Sequence, residues 1–242
     1  MTPSPLDRLV RKLESITHLS EGEKHAVLNL PITIRDFRPD EDIVREGDRP
    51  WQCCLLVEGF LCRYKLLPDG QRQILSFHVP GDVPDLQSLH IPRMDHGLAA
   101  VSPSKAGLIP HDAIRDLTDA HPNVANKLWR DTLIDAAIFR EWITNVGSRE
   151  APGRIAHLLC EIFLKLQAVG LTKGTSFDFP ITQSEIGDAT GLSTVHVNRS
   201  VQRLRAEGLI VLEKGRCTIT DWEGLNETGM FDPSYLNLKN AA

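Results

Sequence analysis

The chain is 242 residues long, 41% hydrophobic and 24% charged, enough to bury one large core or two medium ones. With 27 Lys and Arg against 32 Asp and Glu it is acidic overall, at −5, so a polyanion partner can meet it at one surface only. It has no apolar run of about 18 residues and no apolar signal core after Met1, which predicts a cytoplasmic protein with no membrane partner.

The five cysteines, Cys53, Cys54, Cys62, Cys160 and Cys217, are odd in number and lack Cys-x-x-Cys spacing, so free thiols are expected, several of them in the core. Cys53 and Cys54 are adjacent, which on a strand sends their side chains to opposite faces.

Leu6, Leu9, Val10, Leu13 and Ile16 recur at helical spacing, and Ser20 with Glu23 predicts a capped second helix reaching Leu30. From Ile32 the pattern changes to short apolar runs. Gly47, Gly59, Gly70 and Gly81 lie 12, 11 and 11 residues apart, as turns of an antiparallel sheet structure do. Strands are expected within 54–57, 60–67, 73–77, 97–101 and 106–109, with a hairpin at Pro68-Asp69-Gly70. Such a series closes into a barrel or jelly-roll body.

Helical character returns at His111. A long helix is expected from Pro122 to Val146, and its apolar positions cover more than one face, including Trp129, Leu133, Ile138, Trp142 and Ile143. Packing on the roll alone needs one stripe, so the surplus points to a two-fold partner helix. Gly147-Ser148 is the expected hinge, and a helix from Arg154 to Ala168 carries an apolar stripe. A Gly- and Thr-rich loop follows.

At Ile181–Arg205 the chain reads as two short helices around a tight turn. Thr182 and Glu185 form a capping box, Gly191 supplies the unhindered backbone of the turn, and Ser193 or Thr194 caps the second helix. Val197, Val201 and Leu204 face inward. The other face offers Val195, His196, Asn198, Arg199, Gln202 and Arg203, mostly donors suited to base edges and phosphates. Leu209 to Ile219 reads as a two-stranded wing whose tip presents Lys214 and Arg216. Between Thr194 and Arg216 five positive residues oppose two negative ones, a local +3 on an acidic chain. Double-stranded DNA is the partner this pattern predicts, with Ser193, Thr194, Val195, His196, Asn198, Arg199, Gln202, Arg203, Lys214 and Arg216 as the contacting set. The tail from Thr228 is expected to be loosely ordered or to lie back on the body.

The order Val44-Arg45-Glu46-Gly47-Asp48, Leu55-Leu56-Val57-Glu58-Gly59, Pro80-Gly81-Asp82, Arg154-Ile155-Ala156 and Asn198-Arg199 resembles the Crp/Fnr family of bacterial transcription regulators over nearly the whole chain. The resemblance implies an α+β chain in three parts. A cyclic-nucleotide-binding-type β-roll with its N-terminal helices spans 1–120, a long dimerisation helix 121–147, and a winged helix-turn-helix 148–228, ahead of a tail at 229–242. It further implies a homodimer on a palindromic operator, with RNA polymerase and an unidentified small-molecule effector as further candidate partners.

Nucleotide-binding members hold the cyclic phosphate with Gly-Glu and Arg-Ser pairs, which here align with Pro84-Asp85 and His96-Gly97. Lacking that arginine, a buried phosphate has no fixed cation, so no cyclic AMP binding is expected. The iron–sulfur branch uses cysteines near the N-terminus, and none precedes Cys53; no cofactor is expected. Asp85 and His96 are the candidate effector-pocket residues, with His78 a further open case. Where many members place a glutamate on the recognition helix this chain has Val195, while the arginine four residues on is matched by Arg199.

A cupin-type metal-dependent enzyme is the alternative of another class. It needs a His-x-His pair with a following glutamate, a spacing that His78, His90, His96 and His111 do not provide. A roll that serves only as a dimer scaffold and a roll that binds a ligand both fit the sequence.

Overall fold

The computed structural model describes residues 4–239; the expected leader-free start at 1–3 and the end of the tail at 240–242 lie outside them. Helices α1 (Asp7–Ile16) and α2 (Glu21–Leu28) come first, the second capped by Ser20 and Glu23 in a full capping box. Leu6, Leu9, Val10, Leu13 and Ile16 are all buried, as their spacing requires.

Seven antiparallel strands follow: β1 (Thr33–Phe37), β2 (Asp42–Val44), β3 (Gln52–Glu58), β4 (Leu61–Leu66), β5 (Arg72–His78), β6 (Gly97–Ala100) and β7 (Ser104–Pro110). They make two sheets, ordered β1-β7-β3 and β2-β6-β4-β5. Phe37, Val44, Cys54, Leu56, Leu61, Leu98 and Ala106 fill the interior of the roll. Cys53, one residue from Cys54, packs instead in a separate cluster with α1 and the helix after β7, so the pair does point to opposite faces.

Two of the spaced glycines explain the turns. Gly59 has φ +90°, and a Cβ there would sit 2.6 Å from the Pro103 carbonyl oxygen. Gly81 has φ +105°, and its Cβ would meet the Arg8 carbonyl oxygen at 2.8 Å, so this turn is also where α1 lies against the roll.

Beyond the roll come α3 (His111–Ala120), α4 (Pro122–Ser148) and α5 (Ala151–Ala168). The expected hinge at Gly147-Ser148 falls inside the last turn of α4. The backbone leaves helical geometry at Arg149 and Glu150 instead, because Pro152 has no N–H to bond the Ser148 carbonyl and its ring would clash there if α4 ran on into α5.

The last unit has β8 (Ser176–Asp178), α6 (Gln183–Thr190), α7 (Thr194–Ala206), β9 (Ile210–Glu213), β10 (Arg216–Ile219) and α8 (Trp222–Gly229). Its sheet has three strands, β8-β10-β9, one more than the wing read from sequence. Phe177 and Phe179 are buried on either side of exposed Asp178, an alternation too short to stand out in the sequence. The described part of the tail lies back on the body: α8 packs on α5, and Phe231 and Leu236 join the core against α4 and α5.

Candidate nucleic-acid interface

Helix α6 starts as expected. Thr182 Oγ1 accepts from the Glu185 backbone N–H at 3.2 Å, and Glu185 Oε2 accepts from the Thr182 N–H at 2.7 Å. Gly191 ends α6 in left-handed geometry at φ +67°. The turn folds back onto α6 at Gly187, where a Cβ would lie 2.5 Å from the Leu192 carbonyl oxygen. Of the two candidate caps on α7, Ser193 is the one used, its Oγ accepting from the His196 N–H at 3.4 Å.

Val197, Ser200, Val201 and Leu204 are buried against α5 and α6. Ser193, Thr194, Val195, His196, Asn198, Arg199, Gln202 and Arg203 are all exposed. Val195 is 61% exposed, an apolar side chain offered to solvent with no core role. Asn198 donates to Gln183 Oε1 at 3.3 Å, a link between α6 and α7 that sequence reasoning missed because the residues are 15 apart.

The wing tip closes through Lys214 and Gly215, both at positive φ (51° and 73°), the two-residue hairpin geometry that matches strand twist. Lys214 and Arg216 are both exposed. The basic residues are not equivalent. Arg203 is paired with Glu207 at 2.8 Å, Arg216 with Asp178 at 2.7 Å, and Arg205 with Glu213 at 3.8 Å. Arg199 and Lys214 form no ion pair among the described residues, so their charge faces outward unneutralised.

The two candidate pocket residues stand in different surroundings. Asp85 is buried beneath β3, where its Oδ1 accepts from the Cys54 N–H at 2.8 Å and its Oδ2 has no partner. Burial pushes its carboxyl up to about 7. His96 stands at the edge of β6 with Nδ1 2.7 Å from Asp95 Oδ1, its pKa lowered by burial and by Arg63. His78 is buried, 2.9 Å from Ser76 Oγ, and burial with the charge of Arg63 lowers it to about 4. Among the described residues no group of three or more His, Cys, Asp and Glu could hold a metal ion.

Between the roll and α4 lies a set of buried charges that the sequence did not disclose. Arg63 pairs with Asp135 of α4 at 2.5 Å and donates through Nε to the Pro84 carbonyl oxygen at 2.7 Å. Beside it, Asp82 is held by Lys12 at 2.9 Å and Lys165 at 3.2 Å. Burial alone would raise the Asp82 carboxyl, but the two lysines outweigh it and hold the group well below the usual range. The space left among these side chains is about 30 Å³, the share of one water molecule.

Comparison with known proteins fits both halves. The family described as "Cyclic nucleotide-binding domain" matches residues 34–121, and "Crp-like helix-turn-helix domain" matches 153–228. The transcriptional activator protein FnrL of Cereibacter sphaeroides is 26% identical over 214 residues, covering 86% of this chain and 84% of that protein. An anaerobic regulatory protein of Haemophilus influenzae is 25% identical over 211 residues, covering 86% and 81%. The solved structure of FixK2 from Bradyrhizobium japonicum matches with a TM-score of 0.75 at 26% identity, over 82% of this chain and 98% of that one. A roll of the nucleotide-binding type, a long helix and a capped helix pair with a wing, in that order, make this chain a member of the Crp/Fnr family of DNA-binding transcription regulators.

Proposed function

We propose that the chain acts in the cytoplasm as a homodimer that reads a two-fold operator, each α7 entering a major groove while each wing tip holds the adjacent backbone. The exposed ridge of α7 carries this reading: Val195, Asn198, Arg199 and Gln202 have no structural duty that demands their chemistry, apart from the Asn198–Gln183 link. Arg199 can donate in bidentate fashion to guanine, and the Val195 methyls fit a thymine methyl rather than a cytosine amine. A dimer would set its two reading helices about 34 Å apart, one turn of duplex.

The roll is proposed to work without cyclic AMP. Arg63 is the cation beside Pro84, but it is committed to Asp135 and to the Pro84 carbonyl, and the space left around its side chain is far below the volume of a nucleotide. RNA polymerase and a different small molecule stay as candidate partners.

Fluorescence anisotropy on a duplex selected from a random library tests the assignment. Arg199→Ala is expected to cost about 1–3 kcal/mol on the selected site and to relax its sequence preference. Lys214→Ala is expected to weaken all duplexes alike and to reduce the salt slope by about one. Specific binding unchanged in Arg199→Ala would remove α7 from the interface.

A further inference from the structure

The joint between α4 and α5 is the place where the reading head meets the long helix, and the segment after α8 crosses it. Tyr235 donates its hydroxyl to Glu161 Oε2 of α5 at 2.7 Å and stands 3.1 Å from His157 Nε2. The same carboxylate accepts from Trp142 Nε1 of α4 at 3.1 Å. Glu161 is 1% exposed, so one buried carboxylate joins α4, α5 and the segment, and losing either donor leaves it under-satisfied. The His157 ring is held between Phe231, at 5.0 Å, and Tyr235, stacked at 5.9 Å.

The joint itself is tied to the same segment. Arg149 donates to the Gly229 carbonyl oxygen at 2.8 Å and to that of Met230 at 3.0 Å, while pairing with Glu141 at 2.6 Å. From there Arg154 donates to the Arg149 carbonyl at 2.8 Å and to the Thr190 carbonyl, the last residue of α6, at 2.9 Å. At its far end the segment reaches α1, where the Lys239 N–H donates to the Ser15 carbonyl at 2.9 Å and the ammonium to that of Thr17. Nothing in base reading requires these contacts, yet they immobilise the one non-helical step between the long helix and the head.

We infer that residues 230–239 form a strap that fixes the angle of the reading head on α4, with Tyr235 as a positioning residue acting through Glu161 and Trp142. In the dimer, that angle sets the separation of the two α7 helices, so the strap determines which half-site spacing the protein accepts. This consequence rests on the two-fold DNA reading above; the strap itself does not.

Two variants and two measurements separate these claims. Tyr235→Phe removes one donor and keeps the ring; Trp142→Phe removes the other. With helix content and thermal transition close to those of the parent protein, both are expected to speed amide exchange over residues 149–154 at least about tenfold. Both are also expected to bring the affinity ratio between the selected operator and one lengthened by two base pairs to within about threefold of unity, while affinity for a single half-site stays unchanged. Exchange unaltered in both variants overturns the strap. Faster exchange with the spacing ratio of the parent protein overturns its positioning role. A parent protein that shows no spacing preference overturns the two-fold reading and the positioning role together, leaving exchange to decide the strap alone.

Discussion

Among single residues, the basic ones on the proposed DNA face divide by what they touch. Arg203 and Arg216 are already paired with exposed carboxylates, contacts worth about 0–1 kcal/mol, so a phosphate can take over either guanidinium at little cost. Arg199 and Lys214 need no such exchange. Asp85 shows the opposite situation, a carboxyl enclosed with one oxygen unpartnered. Its pKa rises from 3.8 unfolded to about 7 folded, so the folded chain binds the extra proton between those values. The sign follows from linkage: stability associated with this group is full below pH 4, falls as pH climbs through 7, and is flat above that. Asp85→Asn keeps an acceptor for the Cys54 N–H and abolishes the titration. It is expected to stabilise the protein by on the order of 2–4 kcal/mol at pH 8, less at pH 5 and not at all below pH 4, as read from denaturant midpoints. A gain independent of pH would show that the carboxyl is not the cause.

At the scale of elements, α4 has more apolar surface than the monomer can cover. Val124, Leu128, Ile134, Ile138 and Trp142 are buried against the body. Trp129, Leu133 and Ile143 are 70%, 54% and 74% exposed, with Ala136 and Arg140 completing a second stripe at intervals of three and four. A matching stripe from a second copy is the cover that the proposed dimer provides. Leu133→Asp combined with Trp129→Asp is therefore expected to sediment as a monomer and to lose roughly 10²-fold or more in operator affinity, because two heads no longer share one molecule. The stripe was readable from the sequence as a surplus of apolar positions, as were the capping boxes and the glycine turns, since each is a local rule with a short period. Helix α5 was harder to read. His157, Glu161 and Lys165 have the look of a solvated face, yet α5 is enclosed by α4, α7 and α8 and all three are buried. Burial of that kind is decided by partners far along the chain.

For the molecule as a whole, the same distinction explains which contacts between parts escaped the sequence. Arg63 and Asp135 are 72 positions apart, and Tyr235 and Glu161 are 74 apart, so no periodicity connects them. Arg72 of β5 pairs with Asp188 of α6 at 2.8 Å, and the neighbouring Gln73 donates to the Asp188 carbonyl at 2.7 Å, which docks the roll directly on the first helix of the head. Roll, long helix and head thus meet through several sets of polar groups, among them Lys165 of α5 on Asp82 of the roll, and those that hold the head must be broken together for it to swing. The enclosed sulfurs offer a practical handle on such a swing. All five cysteines are at most 1% accessible, and burial pushes the Cys62 and Cys217 thiols up to about 12, so none is a nucleophile in the native protein. Ellman's reagent is expected to find no fast-reacting thiol in the native chain and five in guanidinium. A cysteine introduced at exposed Val211 would then be the lone attachment point for a fluorophore, and distance changes between labelled copies could be followed without altering any native sulfur.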